Sequence, residues 1–230
     1  MAIRERMLNV LFQIEESLAK KVAYGLGIEL PKKPPYPVNG SIPADGKPEE
    51  YQSRKKVSKI KASPSLSMAN TVKDTIKSRK VAILAADGVN ADSVNVIKAI
   101  LEKEGAITEI IAPRLGSIST SAKTMLPVDH SFLTAASVLF DAVYIPGGKD
   151  SVDALLSEAN AIHFVNEAYK HCKAIAADQD ALSVLKASYI PGPEEGVIIG
   201  KDPAMMGRSF LEAIAGHRVW TREKIRKVPA

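Results

Sequence analysis

The sequence predicts an α/β fold in which a parallel sheet is covered by helices on both faces. From residue 79 onward, short apolar segments rich in branched residues alternate with amphipathic helical segments. These strand candidates are apolar on both faces, which is typical of strands that are buried from two sides. We therefore expect a doubly wound, flavodoxin-like sandwich over residues 79–230, preceded by a helix and a proline-rich linker.

The first segment, residues 1–29, is predicted to form an amphipathic helix. Apolar residues recur at helical spacing over residues 7–26, and Gly25 and Gly27 act as stop signals. We expect the apolar face of this helix to need a surface to pack against.

The second segment, residues 30–78, is rich in Pro, Lys, Ser and Gly and shows almost no apolar periodicity. Such a composition predicts a linker that crosses a surface or stays mobile. The basic run at residues 54–61 could contact nucleic acid or could simply be solvated. Because no nucleic-acid recognition module accompanies it, we favour a solvated linker.

The third segment, residues 79–230, divides into strands, helices and one hairpin. Gly105 closes the first helix, and a hairpin-like stretch runs through Gly116 to residues 125–128. We predict strands at residues 80–85, 107–112, 141–146 and 173–177, and helices at residues 90–104, 152–157, 161–171, 180–187 and 209–220.

Ligands of doubly wound folds bind at the carboxyl ends of the strands, which are here residues 86–88, 146–148 and 177–180. The first turn lacks the spacing of a dinucleotide fingerprint, and a Walker loop is absent from the sequence. The Pro146-Gly147-Gly148 turn could aim backbone amides at a ligand or an oxyanion, or it could be an ordinary turn.

Three of these segments, residues 79–84, 141–148 and 173–177, resemble the PfpI-type superfamily, which is related to class I glutamine amidotransferases. Members of that superfamily use a Cys at a nucleophile elbow, an acidic residue on the first helix and amides near the Pro-Gly-Gly turn. The resemblance assigns the acidic position to Asp92 and the amide turn to Gly147 and Gly148. It assigns the nucleophile to Ala176, which shortly precedes Asp178.

An alanine at the elbow offers neither a nucleophile nor a proton, so the resemblance implies a vestigial pocket with no catalytic residue. Cys172 cannot substitute for the missing thiol, because it lies before the strand whose other end carries the site. Its neighbours His171 and Lys173 could favour a redox role. We favour a buried hydrophobic role for Cys172, as is usual for a free cysteine.

Composition restricts the remaining function classes. The formal net charge of +5 is spread along a chain with only 5% aromatic residues, so we expect no nucleic-acid partner. The four histidines form no metal-ligand spacing, and no apolar run is long enough for a membrane helix. We expect a soluble protein without a membrane partner, a metal or a targeting segment in this sequence, and the cellular compartment stays open.

The C-terminus resembles a narrower family. A His217-Arg218-Val219-Trp220 helix end, a basic tail and a final Val-Pro-Ala are similar to the C-terminal domain of large-subunit (clade 2) haem catalases. Residues 22–28 resemble the end of the haem-binding part of these enzymes, so the resemblance covers the whole chain. It implies that residues 1–29 end the haem part and that the chain is a piece of a longer protein.

This resemblance implies a parent that decomposes hydrogen peroxide with a haem. The sequence lacks the Tyr ligand motif and the distal His motif of that chemistry, so we expect no haem and no enzyme activity in this part. The implied role is an accessory domain that stabilises a homotetrameric parent by contacting its haem-containing core and neighbouring subunits. Holding-chaperone activity toward unfolded client proteins is a further candidate. The alternative is an independent PfpI-superfamily hydrolase, glyoxalase or deglycase.

Overall fold

The computed structural model of the chain describes residues 2–31, 45–47, 50, 63–67, 70, 74–190 and 192–224. The chain divides into two compact units, Met1–Asn70 and Thr71–Ala230. Within the predicted linker at residues 30–78, the described part includes a short 3-10 helix at Pro64–Leu66. The basic run at residues 54–61 lies outside the described residues.

The first unit contains two helices where the sequence predicted one over residues 7–26. Helix α1 spans Ala2–Ile14 and helix α2 spans Glu16–Leu26, and the two contact each other. Glu15 interrupts the helical path because its backbone is extended, with φ −154° and ψ 116°. Its carboxylate accepts a hydrogen bond from the Ser17 amide at 3.2 Å and so caps α2, a role that Ser, Thr, Asp and Asn perform more often.

The second unit contains a parallel sheet of six strands and a separate antiparallel hairpin. The hairpin strands are β3, Gly116–Ser119, and β4, Met125–Val128. The sheet strands are β1 (Lys80–Leu84), β2 (Ile107–Ala112), β5 (His130–Ser131), β6 (Ala142–Ile145), β7 (Ala174–Asp178) and β8 (Val197–Gly200). They are arranged in the order β5-β2-β1-β6-β7-β8. Without the two-residue edge strand β5, this is the flavodoxin-like order.

Helices cover both faces of the sheet, which confirms the predicted fold class. Helices α3 (Ala91–Lys103) and α7 (Pro203–Ala215) pack on one face, with Ile97 and Phe210 in the same core cluster. Helices α4 (Lys149–Ser157), α5 (Ala159–Lys170) and α6 (Leu182–Ala187) pack on the other face. Apolar residues on both sides of each central strand therefore find a covering layer.

The last helix differs from its prediction at residues 209–220. It begins six residues earlier, at Pro203, because Asp202 accepts hydrogen bonds from the first-turn amides, at 2.8 Å from Ala204 and 3.4 Å from Met205. It ends at Ala215, and a 3-10 helix follows at Trp220–Lys224. Proline at the first helical position fits this earlier start, since its missing amide needs no partner there.

The segment after α7 is held against the beginning of β7. The Val219 amide donates to the Cys172 carbonyl oxygen at 2.8 Å. The guanidinium of Arg222 is buried, and it donates to the backbone oxygens of Lys173 and Glu195 at 3.0 Å each. These contacts place residues 217–222 at the amino edge of the sheet, the edge opposite to the predicted pocket.

Candidate site at the carboxyl edge of the sheet

The order of the strands reverses between β1 and β6, where doubly wound folds bind their ligands. The loops that follow these two strands are joined by hydrogen bonds. The Asn90 amide donates to the Gly147 carbonyl oxygen at 2.9 Å, and the Ala86 amide donates to the buried hydroxyl of Ser151 at 2.9 Å. One backbone bond between the loops and one bond to a side chain of α4 therefore hold the two sides of the crevice together.

Two glycines let these loops approach closely. Gly148 has φ +112°, and a Cβ atom at this position would lie 2.3 Å from the Gly88 carbonyl oxygen. Gly88 has φ +87°, and a Cβ atom there would lie 2.6 Å from the Cβ of Asp150. Neither position has room for a side chain, so the Pro-Gly-Gly turn is packed directly against the loop after β1.

The carboxylate of Asp178 lies at the end of β7 and faces the same turn. Its Oδ2 atom accepts a hydrogen bond from the Gly147 amide at 2.7 Å, and its Oδ1 atom accepts one from the Tyr144 hydroxyl at 2.8 Å. Both side chains are buried. The sequence left this turn open between an amide donor to a ligand or an oxyanion and an ordinary turn. In the structure the Gly147 amide donates to a carboxylate of the chain itself.

Tyr144 on β6 is the second donor to this carboxylate. Burial raises the pKa of its hydroxyl, and the charge of Asp178 and the hydrogen bond to it raise the pKa further. The Ser93 side chain also forms a hydrogen bond to Tyr144, with the smaller effect of lowering this pKa. Tyr144 consequently stays protonated and keeps donating to Asp178 at neutral pH.

The predicted nucleophile position, Ala176, lies inside β7 and is fully buried. It belongs to the core cluster that contains Met206 and Phe210 of α7. Nucleophile elbows depend on a sharp, strained turn. The non-glycine residues with positive φ in the described part are Ser78, Lys123, Cys172, Tyr189 and His217, so the backbone at Ala176 and Ala177 is not of that kind.

Asp92, the predicted acidic position, lies in the first turn of α3 and is exposed. Of the five residues assigned to the vestigial pocket, the structure joins Gly147 directly to Asp178 and places Gly148 beside them. It leaves Asp92 at the surface and Ala176 in the core. Cys172 is buried before β7, at the opposite end of the strand from Asp178.

Sequence reasoning missed Tyr144 and Ser93, whose hydroxyl groups complete this buried network, and Ser151, whose hydroxyl accepts from the Ala86 amide. A signal for Tyr144 was available, because it is the one residue with a polar group in the strand Ala142–Ile145. A hydroxyl group in a strand buried on both faces needs a partner.

Another carboxylate at this edge, Asp87, ties the hairpin to the loop after β1. A hydrogen bond from the Ser119 amide at 2.8 Å is the largest cause that lowers its pKa, and the Ser119 hydroxyl and the Arg114 guanidinium lower it further. The Arg114 Nη2 atom lies 3.2 Å from Oδ2 of Asp87. Through these bonds Asp87 holds the hairpin against the loop after β1.

Comparison with known proteins identifies the family of the chain. A family model described as the C-terminal domain found in long catalases matches residues 77–224. The chain belongs to this family. This match, together with the relatives that cover the whole chain, confirms the resemblance to large-subunit catalases.

Relatives of this long-catalase C-terminal domain come from distant organisms. The chain is 34% identical over 231 residues to catalase HPII of Pseudomonas aeruginosa, matching 100% of this chain and 30% of the relative. It is 31% identical to catalase-2 of Bacillus subtilis and 32% identical to catalase-B of Dictyostelium discoideum, each match covering 96% of this chain. These matches cover 29% and 30% of the two relatives, so the chain spans less than a third of their length.

Among solved structures, the chain is similar to a two-domain protein of Anabaena variabilis with DJ-1/ThiJ/PfpI-like and ferritin-like domains. The TM-score is 0.46 at 26% sequence identity, and the match covers 49% of this chain and 34% of the other.

The described residues of this long-catalase C-terminal domain contain no cluster of three or more His, Cys, Asp or Glu side chains that could hold a metal ion. A cavity of about 200 Å³ lies beside α5 and is lined by Phe132, His163 and Phe164 among others. No helix in the described part is long and apolar enough to cross a membrane.

Proposed function

We propose that residues 79–230 form a non-catalytic accessory domain of a large-subunit haem catalase, an enzyme that disproportionates hydrogen peroxide. In this proposal the haem is bound by the rest of the parent, and residues 1–29 are the end of that haem-binding part. The domain stabilises a homotetrameric parent by contacting its core and neighbouring subunits. The observation that carries the non-catalytic assignment is the Asp178 carboxylate on the Gly147 amide.

The chemistry of acyl-transfer sites explains why this contact argues against catalysis. Such sites need a nucleophile and preorganised donors aimed at a developing oxyanion. Here the amide donor of Gly147 is already bound by a negative charge, which would repel an oxyanion. Ala176, at the position assigned to the nucleophile, is fully buried. Both requirements therefore fail at the same turn.

The exposed apolar side chains of the first unit support the chaperone part of the proposal. They are Ile3, Met7, Ile14, Leu18 and Tyr24 of α1 and α2. Clusters of exposed apolar residues often mark protein interaction surfaces. We propose that these helices can hold unfolded clients when the catalytic part of the parent does not cover them.

The accessory role is tested on the parent enzyme with and without residues 79–230. We expect peroxide turnover per haem to stay within about two-fold, because the chemistry lies elsewhere, and the half-life of activity at elevated temperature to shorten. Equal half-lives for the two forms would refute the stabilising role. A large loss of turnover per intact haem would refute the non-catalytic assignment.

Assays of the chain alone test the remaining assignments. Turnover of methylglyoxal and of peptides should stay at background. Activity that Asp92→Ala abolishes would instead establish a PfpI-superfamily enzyme.

The chaperone role is tested by aggregation. The chain should suppress thermal aggregation of an unrelated enzyme at equimolar concentration, and removal of residues 1–28 should reduce this effect. An inert protein at the same concentration is the control, and equal suppression by both would refute the chaperone role.

A further inference from the structure

Several charged side chains converge on Asp141 at the amino edge of the sheet. Asp141 directly precedes β6, and its Oδ1 atom lies 3.5 Å from Arg79 Nη1 and 3.7 Å from Arg218 Nη1. Its Oδ2 atom accepts a hydrogen bond from the Lys80 amide at 3.1 Å. The side chains of Arg79, Asp141 and Arg218 are 30%, 24% and 18% exposed, so solvent reaches the site.

Two further basic side chains belong to this group. Lys173 directly precedes β7 and is buried, and its Nζ atom donates to the Ser137 carbonyl oxygen. His217 follows α7 with φ +68°, in the segment that the bond between Val219 and Cys172 fixes to the sheet. We refer to Arg79, Asp141, Lys173, His217 and Arg218 together as the Asp141 cluster.

The cations of the Asp141 cluster repel one another. Burial lowers the pKa of Lys173 to about 8, and the charge of Arg218 lowers it further, against Asp141 and Glu167. The pKa of His217 is lowered by burial and then by Arg218 and Arg79, with Asp141 opposing. Burial also lowers the pKa of Arg218; Asp141 opposes this, and Arg79 adds to it. The positive charge is therefore only partly neutralised.

The geometry shows why Asp141 leaves this charge partly neutralised. Both arginines approach the same carboxylate oxygen, at distances beyond the ~2.7 to 2.9 Å of a charge-assisted hydrogen bond. Glu167, the other acidic influence on Lys173, lies 3.2 Å from His171 and 3.8 Å from Lys170, so its charge is shared. A second anion between the guanidinium groups would relieve the repulsion.

We propose that the Asp141 cluster is a binding site for a small oxyanion of the phosphate and sulfate class, held by the guanidinium groups of Arg79 and Arg218. Guanidinium groups match the oxygen spacing of such anions and bind them in a bidentate manner. The partial exposure of both arginines lets the anion enter without unfolding. The site lies at the edge of the sheet opposite to Asp178, and it goes beyond the proposed accessory function and does not depend on it.

The test measures the thermal unfolding of the full 230-residue chain in inorganic phosphate, with chloride keeping the ionic strength constant. We expect a saturable rise in Tm, as for any ligand that binds only the folded state. Arg218→Gln and Arg79→Gln should each weaken phosphate binding about ten-fold or more, which corresponds to about 1.4 kcal/mol. Asp141→Asn should strengthen it, because the competing carboxylate is removed. Arg208→Gln, at an exposed position of α7, is the matched control.

The protonation of His217 provides an independent readout that stability does not affect. Sulfate is used here because its charge is constant over the pH range. Bound sulfate should raise the NMR-measured pKa of His217, since an anion favours the imidazolium. By linkage, sulfate affinity should fall as the pH rises through this pKa, while Arg79 and Arg218 stay charged. Deprotonation of Lys173 should weaken binding further at alkaline pH.

Two outcomes would overturn the proposal. One is a Tm in phosphate equal to that in chloride, and the other is unchanged phosphate affinity in both arginine variants. If Arg218→Gln does not fold, Arg79→Gln and the titration of His217 decide.

The binding of adenosine monophosphate is compared with that of inorganic phosphate to identify the kind of anion that the site takes. Tighter binding of the nucleotide assigns the site to a phosphate ester, and equal or weaker binding assigns it to a free oxyanion.

Discussion

At the scale of single residues, the Asp178 carboxylate forms the hydrogen bonds that occupy the buried donors at the carboxyl edge of the sheet. Its carboxylate is the acceptor for two buried donors, the Gly147 amide and the Tyr144 hydroxyl. Buried donors without an acceptor cost about 1 to 3 kcal/mol each, and hydrogen bonds to charged groups are the stronger kind. Asp178 therefore contributes to stability at the edge of the sheet where doubly wound folds bind their ligands.

We expect Asp178→Ala to lower the free energy of unfolding by about 2 to 4 kcal/mol, because both donors lose their acceptor. Asp178→Asn should have a smaller effect, since its amide oxygen can still accept one bond. Chemical denaturation followed by circular dichroism measures these changes. Asp180→Ala, at an exposed neighbouring position, should change stability by less than about 0.5 kcal/mol. A loss below about 1 kcal/mol for Asp178→Ala would contradict this account.

The sequence indicated that Asp178 follows a strand at the carboxyl edge of the sheet, but it did not indicate the partners of this side chain. Position along the chain predicts that the end of β7 lies at the carboxyl edge. Which side chain meets the Gly147 amide depends on register, and the register pairs Tyr144 with Ala176 across β6 and β7. This pairing arises from packing between distant segments, which periodicity along the chain does not reveal.

At the scale of elements, the loops after β1 and β6 pack so tightly that glycine is required. A side chain at position 148 would collide with the Gly88 carbonyl oxygen at 2.3 Å and also adopt φ +112°. Gly116 has a similar φ of +98°, but a Cβ atom there would meet nothing within 4 Å. A side chain at position 116 would meet backbone strain alone, whereas one at position 148 would meet both strain and a steric collision.

We expect Gly148→Ala to destabilise the chain by at least about 2 kcal/mol more than Gly116→Ala. Both variants carry the strain of a positive φ, of order 1 to 3 kcal/mol, but only Gly148→Ala must also move the loop after β1. Urea unfolding of the two purified variants measures the difference. Equal losses of stability would show that the loops separate easily, against the close approach described here.

Element boundaries were less predictable from sequence than the element types. The short strands β5 and β8 were missed. The two residues of β5 show no periodicity, and β8 has only three apolar residues, Val197–Ile199. The break at Glu15 was missed because glutamate is an uncommon helix cap. In contrast, α3 was predicted within one residue at each end, since Asn90 and Gly105 mark its limits.

At the scale of the whole molecule, the buried ammonium of Lys173 links stability to pH. The pKa of Lys173 is about 8 in the folded chain, below its ordinary value of 10.5. Between these values the unfolded chain binds more protons than the folded chain. The free energy of unfolding therefore rises with pH in this window. Below pH 8 this increase in stability is absent.

We expect this rise to be missing in Lys173→Met, which has no titrating group at the position. Denaturant unfolding of both proteins at about pH 7.5 and about pH 9.5 tests the prediction. Stability of the unsubstituted chain should increase relative to Lys173→Met at the higher pH. The tyrosines titrate in both proteins, so their contribution cancels in this comparison. A constant difference between the two proteins would place the pKa of Lys173 near its ordinary value.

The overall architecture was the most predictable feature, because it depends on many residues at once. Apolar strands such as Val81–Leu84 and Ala174–Ala177 alternate with amphipathic helices, and few folds bury such strands on both faces. The alanine at position 176 was also readable directly from the sequence. The Asp141 cluster was not, since it joins residues from four distant positions in the chain.

The buried position of Ala176 also limits how the chain can evolve. A mutation to cysteine would place a thiol in the core with Met206 and Phe210, where it would act as a hydrophobic side chain and meet no substrate. Asp178 would still hold the Gly147 amide. A catalytic turn would require a new backbone path, a displaced carboxylate and a repacked α7 together. A single substitution at position 176 therefore cannot by itself create an accessible thiol at this turn.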